Sequence, residues 1–598
     1  MQSQATVPAD TYSAESTENV IERRIQRIFW LLAVTFGFLQ AWSSRMTLVN
    51  DTISYLDMGD YVFHGHWAMA INGVWSPLYA ILLGATLGIF KPSPYWQYPL
   101  VHLLLFVVFL CAMGSFQFFL RELIAFRQES ESSEELRVPV WVWLVIGYTL
   151  FLYSSLALIG VSETNPDMIL AAFFYLGCGF LIRMKRGAVT SFTYPALGLV
   201  LALGYLTKSV MFPIALVCFA SAWFAGRHHG SKHIARLLGA MVVFLAIAGP
   251  FIGALSVAKH KLTFGESGSY NYAVHVNKID PHYWLGENPG NGSPVHRFRK
   301  LIDRPATFAY GDMMEGTYPN WFDPSYWYQG VKDRLNVGEQ IRTIKTNLRA
   351  EVSLCFALSG SIICGIFILF YTSGLKKISL EKFGEHWFLW GPSLVALGLY
   401  SLVWFEPRYV APFIVVLGLC CFFSIHHRVT VPAPTVFSAV AILIFLMFLS
   451  PLGEGTVPKN FSAIKSFRHP LAVAQDSSFA VASSMRQLGL KPGDRISSLE
   501  FSNLDVAMWA RLAGFKIASE VYYWPGRAQA SDNNFWDADT VTREKVVRAL
   551  ASTGSKAVVS HEAPRGDDTA GWIKVGETGY YLHWLSPITG QATNQNHN

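Results

Sequence analysis

The sequence predicts an all-α polytopic membrane domain of about eleven spanning helices, followed by a soluble α/β domain at its C-terminal end. Three observations carry that expectation. Only 15% of the residues are charged and 52% are hydrophobic, against about a quarter charged in an average soluble protein, and mean hydropathy is +0.30. The apolar residues fall into long runs such as Ile28 to Gln40, Tyr98 to Leu120, Val352 to Tyr371 and Val436 to Leu449, several of which approach the roughly 20 residues that cross about 30 Å of hydrocarbon. After residue 450 the pattern changes to short alternating helical and strand-like segments, as in α/β domains.

Residues 1 to 26 are expected to be a mobile cytoplasmic tail, since the first twenty are polar and carry no apolar stretch. Arg23, Arg24 and Arg27 precede the first apolar run, which would serve as its own uncleaved insertion signal. Basic residues collect on the cytoplasmic side of short loops. The loops Arg121 to Arg137, Arg183 to Arg186, Arg227 to Arg236, Lys376 to Lys382 and His426 to Arg428 should therefore share the side of the N-terminus. That parity holds only if Leu78 to Phe90 does not cross. It is short, follows Ser76-Pro77 and contains Gly84 and Gly88, so it is expected to be a juxtamembrane or re-entrant helix.

The spans are then expected at 27–48, 97–120, 139–158, 167–183, 190–206, 209–226, 236–257, 350–372, 386–404, 409–426 and 433–450, within a membrane domain of residues 27–450. Loops 49–96 and 259–349 and the tail 451–598 are expected outside the cytoplasm, in a multi-pass protein of the inner membrane. In the tail, a helix around Phe479 to Leu488 leads to the turn Lys491-Pro492-Gly493-Asp494 and a strand near Ile496. Val506 to Gly514, Ile517 to Tyr523, Glu544 to Ser552 and Lys556 to Ser560 continue the alternation. The tail has no phosphate-loop or dinucleotide fingerprint, and no catalytic role is assigned to it.

Cys111, Cys178, Cys218, Cys355, Cys364, Cys420 and Cys421 all lie in apolar runs, so no disulfide framework is available outside the cytoplasm. The net charge of +6 is modest, and no nucleic-acid partner is expected. His64, His66, His275, His282 and His296 lack metal-ligand spacing, so a divalent metal is not favoured and no cofactor is expected.

Loop 49–96 opens with Asn50-Asp51-Thr52-Ile53-Ser54-Tyr55-Leu56-Asp57-Met58-Gly59-Asp60. On a helix, Asp51 and Tyr55 share a face at i, i+4 while Asp57 points elsewhere; a solvated or capping acidic cluster reads the same spacing equally well. Asn72-Gly73-Val74-Trp75-Ser76-Pro77-Leu78-Tyr79 then leads into the short apolar helix. Three further stretches complete the pattern: Ser162-Glu163-Thr164-Asn165-Pro166-Asp167, Gly204-Tyr205-Leu206-Thr207-Lys208-Ser209, and Glu406-Pro407-Arg408-Tyr409-Val410-Ala411-Pro412.

In this order, over residues 27 to about 430, these stretches resemble the GT-C superfamily of membrane glycosyltransferases, which includes protein O-mannosyltransferases and lipid A aminoarabinose transferase. The resemblance implies a lipid-linked sugar on polyprenyl phosphate as donor, a glycan, lipid or protein as acceptor, and Asp51 as the catalytic carboxylate. An acceptor hydroxyl needs a positioned base, which an ionised carboxylate supplies. The departing phosphate needs cations, which Lys208 and Arg408 supply beside Tyr409; snorkelling interface anchors are the alternative reading of the two bases. Asp57, Glu163 and Asp167 are expected to hold the acceptor or support Asp51, although Asp167 also suits a helix start after Pro166. Where the oligosaccharyltransferase branch carries an Asp-x-Asp metal pair, this chain has Glu163-Thr164-Asn165. A metal-independent transfer is thus expected, and the resemblance implies an inverting one.

Loop 259–349 is rich in aromatic and polar residues, of which His275, Tyr318, Trp321 and Asp323 are expected to meet substrate. An interfacial aromatic belt explains most of the others. The rival expectation, a transporter or flippase of lipid-linked glycans, calls for internal repeats and ionisable groups at the midplane; here the acids and bases flank the apolar runs.

Overall fold

The computed structural model describes residues 9–130, 139–279, 296–311, 317–318, 321–328, 334–354, 384, 386–423, 445, 477–500, 505–523, 534–565 and 571–585. The chain is mostly helical, with a β-sheet toward its C-terminal end, and divides into two compact units, each assembled from three stretches of sequence.

The first unit takes Met1–Ser43, Leu105–Pro250 and Leu335–Arg468. It holds helix α1 (Ala9–Ser43), most of α4 (Pro94–Ser130), α5 (Val140–Tyr153), α6 (Asp167–Arg186), α7 (Thr193–Thr207), α8 (Met211–Gly226) and most of α9 (Ser231–Ala258). Trp387–Val403 and Pro407–Phe423, here α11 and α12, also belong to it. α6 packs on α7 and α8, α11 on α8 and α12, and α1 on α5. Rings fill the centre: Phe116 lies 5.0 Å from Phe151 and 5.1 Å from Tyr175, centroid to centroid. The apolar windows of α5 and α6 are 83% and 78% buried, whereas those of α1 and α9 are only 28% and 22% buried. α1 and α9 thus turn residues such as Leu31, Leu238, Val242 and Leu245 outward, an apolar surface that suits hydrocarbon.

Among the described residues, five helices, Asn19–Ser43, Pro94–Glu129, Val140–Ile159, Asp167–Arg186 and Lys232–Ala258, are long and apolar enough to cross a membrane. The expected spans 190–206, 209–226, 386–404 and 409–426 coincide with apolar helices of 10–17 residues. At 1.5 Å per residue these fall short of about 30 Å, so eleven full-length spans are not established. Residues 355–372 and all but one residue of 433–450 lie outside the described residues.

The second unit takes Ser44–Leu104, Phe251–Arg334 and His469–Asn598. It contains α2 (Asp51–Phe63), α3 (Pro77–Phe90), α10 (Ser267–His275), β1 (Phe298–Ile302), β2 (Thr307–Tyr310), α13 (Ser478–Gln487), β3 (Arg495–Ser498), α14 (Val506–Ala513), β4 (Lys516–Val521), α15 (Thr540–Ala551), β5 (Ala557–Ser560), β6 (Trp572–Lys574) and β7 (Tyr581–Trp584). Among the described residues the strands form one seven-stranded sheet in the order β1-β2-β4-β3-β5-β7-β6. β4, β3 and β5 run parallel, joined through α14 and α15 as βαβ units, and the outer strands pair antiparallel. Leu499, Val521, Phe535, Trp536, Val546, Leu550 and Val558 form its core.

The expected strand near Ile496 and the helix and strand segments after Val506 all appear. The sheet, however, is not confined to residues 451–598. Two of its strands come from loop 259–349, because β4 still has an open edge after pairing with β3 and β2 closes it in register Thr307 to Val521.

Candidate active site

In the second unit the site is built on α2. Asp51 occupies its first turn, where the helix dipole favours a negative charge. Gly59 on α2 meets Ala80 and Gly84 on α3 so closely that a Cβ at position 59 would lie 2.4 Å from the Ala80 oxygen. Two glycines thus let the helices touch backbone to backbone.

The Trp321 indole donates to Asp51 Oδ1 at 3.1 Å. Trp321 is itself pinned: its carbonyl accepts from Ser54 Oγ at 3.2 Å and from Trp75 Nε1 at 3.1 Å. Aromatic rings crowd around it, with Trp75 6.1 Å and Tyr270 6.0 Å from its centroid and Tyr55 5.4 Å from that of Trp75. The segment Asn72-Gly73-Val74-Trp75 therefore meets Trp321-Phe322-Asp323, since the Asn72 amide also donates to the Phe322 carbonyl.

Asp323 fastens this meeting. Its carboxylate accepts from the Gly73 amide at 3.2 Å and from Ser325, and the Lys259 ammonium stands 3.4 Å away. Lys259 is buried, lies 3.4 Å over the Tyr326 ring and donates to Ser325 Oγ at 2.7 Å. Burial lowers its pKa, opposed by Asp323 and Glu266. Asp323 is thus engaged in holding the loop. His275, half-buried at the end of α10, is pushed down to about 4 by burial and by Lys278, so it is neutral at physiological pH.

Asp57 is completely buried. It accepts from Arg511 Nη1 at 2.7 Å, Thr317 Oγ1 at 3.0 Å and the Tyr318 amide at 3.0 Å. Arg511 also bonds Asp60 at 2.5 Å. Burial pushes the Asp57 carboxyl up to about 6, with Arg511 pulling it down and Asp60 pushing it up. Tyr318 takes a positive φ of 46° to present its amide. Asp57 and Tyr318 are therefore held in an internal network. Arg511 was not singled out from sequence; the available signal was a lone arginine in the otherwise apolar helix Val506–Ala513.

The first unit brings three of the singled-out stretches together by itself. Asp167 begins α6, and the Lys208 ammonium bonds its Oδ1. Arg408, in the first turn of α12, places Nε 3.9 Å from Asp167 Oδ2. Tyr409 lies beneath both cations, with Lys208 Nζ 3.9 Å and Arg408 Cζ 5.0 Å from its ring centroid, and it stacks on Tyr400 at 5.3 Å. The start of Asp167 is fixed by Asn165, whose side chain accepts its amide at 3.0 Å. Glu163 is half-buried in the preceding turn. The cluster holds two cations and one carboxylate at the starts of two helices, a favourable setting for an anion. Among the described residues no group of three or more His, Cys, Asp and Glu is arranged to hold a metal.

No protein-family model matches the sequence, and no curated protein matches it. Similar solved structures exist. ArnT from Cupriavidus metallidurans in the apo state has 12% identity and a TM-score of 0.46, the match covering 97% of this chain and 100% of that one. The same protein bound to undecaprenyl phosphate has 12% identity and a TM-score of 0.49, covering 94% and 99%. The oligosaccharyltransferase AglB from Archaeoglobus fulgidus, in complex with an inhibitory peptide and a dolichol-phosphate, has 12% identity and a TM-score of 0.42, covering 90% and 70%. At such identities and TM-scores below 0.5, these likenesses by themselves assign this chain no activity.

Proposed function

We propose that the chain is a membrane glycosyltransferase that moves a sugar from a polyprenyl-phosphate donor to an acceptor hydroxyl on the non-cytoplasmic face, with Asp51 as general base. The observation that carries this reading is the setting of Asp51: a carboxylate at a helix start, oriented by the Trp321 indole, whose ring lies against Trp75 and Tyr270, with Tyr55 packed on Trp75. Aromatic faces beside a few fixed polar groups suit a sugar. The motif order that resembles the GT-C superfamily, and the five helices of spanning length, support a lipid-linked donor.

In the transfer, the acceptor oxygen attacks the anomeric carbon as Asp51 takes the hydroxyl proton, and the bond from that carbon to the phosphate oxygen breaks. Attack from the face opposite the phosphate inverts the anomeric centre. The polyprenyl phosphate leaves with the bonding electrons, and its charge is met by Lys208 and Arg408. Arginine offers the paired donors that phosphate accepts, and the Tyr409 ring beneath it holds the guanidinium in place. The residues in these roles need no metal ion, and a metal-independent mechanism is proposed.

Asp51→Asn tests this. It keeps the size and the Trp321 contact but cannot take the proton, and general-base catalysis contributes about 10² to 10⁴ in rate. With polyprenyl-phosphate sugars as donors, turnover should fall at least a hundredfold while binding of polyprenyl phosphate persists. Near-normal turnover in a well-folded variant rejects the assignment.

A further inference from the structure

We propose that Arg511, in the C-terminal sheet domain, is a positioning residue that sets the geometry of Asp51 through the Asp57–Asp60–Arg511 network. This rests on reading Asp51 as the base. The inference starts from an oddity of the sheet domain. α14 is buried at every position, and the one charged residue among them, Arg511, is spent on α2 rather than on the sheet.

The network reaches Asp51 by two routes. The first is α2 itself. Asp57 and Asp60 lie on sides of the helix away from Asp51, at 100° per residue, and Asp57 is roughly 9 Å along the axis from it. Two carboxylates held by one planar guanidinium fix both the rotation and the axial position of the helix, so Asp51 is presented in one direction. The second route is the loop. The other oxygen of Asp57 holds Thr317 and the Tyr318 amide, and three residues later Trp321 donates to Asp51. Asp57 thus ties together the helix that carries Asp51 and the segment that orients it, and Arg511 is the cation that favours the charged form of Asp57 against its burial.

Packing alone does not require this arrangement. An apolar residue at position 511 opposite apolar partners would hold α14 to α2 at least as well, because removing two charges from water is costly. What the ion network adds is direction, and a base must sit within about 0.5 Å of its productive position.

The test uses the full-length protein with polyprenyl-phosphate sugars as donors, comparing Arg511→Gln, Arg511→Lys and Asp60→Asn. Arg511→Gln is expected to lower kcat at least tenfold with little change in donor KM. Arg511→Lys should recover part of that loss, and Asp60→Asn, which leaves the Asp57 bond intact, should fall between. The ¹⁹F resonance of 5-fluorotryptophan at Trp321, assigned by its loss in Trp321→Phe, should shift in Arg511→Gln. If Arg511→Gln fails to fold, Arg511→Lys and Asp60→Asn carry the same comparison. Wild-type kcat together with an unshifted Trp321 resonance in the folded variants overturns the proposal. Should Asp51→Asn stay active while the Trp321 resonance still moves, the base assignment falls and the positioning network stands.

Discussion

Asp57 shows how one side chain can report on its surroundings. Its carboxyl is buried among Arg511, Asp60, Thr317 and the Tyr318 amide, with Tyr98 within electrostatic reach, and burial outweighs the cation, so its pKa rises to about 6 from 3.8. A carboxyl raised on folding adds stability that is fully present below its unfolded value and is lost as pH rises through its folded value. The window is therefore pH 4 to 6, and a rise of that size is worth about 3 kcal/mol. Wild type should lose melting temperature relative to Asp57→Asn between pH 4 and 7, because asparagine does not titrate. A constant difference across that range would show that the folded protein holds Asp57 ionised throughout, as the unfolded chain does. From sequence, Asp57 was one acid in a row of three. Neither its burial nor its partner at position 511 leaves a local trace, since charge pairing across 454 positions has no period.

The crossing of α2 and α3 is decided by two small residues. Alanine in place of a helical glycine gains about 1 kcal/mol of helix propensity, whereas overpacking costs about 1–3 kcal/mol. At Gly59 the obstacles are the Ala80 oxygen and the Gly84 backbone, which cannot rotate aside, so overpacking wins. Gly59→Ala should lower stability by up to about 2 kcal/mol, measured by thermal or denaturant unfolding, while Gly114→Ala on α4, with nothing within 4 Å of its Cβ, should be neutral or stabilising. Equal effects at both positions would mean that the crossing is not tight. The helix at Pro77–Phe90 was legible from its Ser-Pro start and apolar run, but its partner was not, because a glycine in sequence does not say which backbone it admits.

Each unit is assembled from three separated stretches, so neither corresponds to a single domain of continuous sequence. The sheet of the second unit depends on β1 and β2 as well as the tail, which places loop 259–349 and the tail on one side of any membrane. The distribution of Lys and Arg predicts that side to be non-cytoplasmic. A cysteine at Lys574, exposed on β6, should react with a membrane-impermeant maleimide in cells with permeable outer envelopes and intact inner membranes. Labelling only after the inner membrane is broken would reverse the orientation and remove the proposed donor face.

The sequence by itself determined the membrane character, the positions of most helices, the alternation in the tail and the candidates Asp51, Asp167, Lys208 and Arg408. These follow from composition, local period and short motifs, all of which act over a few turns of chain. Only the tertiary structure decided that Asp167 sits between Lys208 and Arg408, that Trp321 orients Asp51, and that the tail reaches α2 through Arg511. Those pairings are set by which buried charges must be matched once the helices and sheet have packed, a requirement imposed by desolvation on the whole unit and not written in any local stretch.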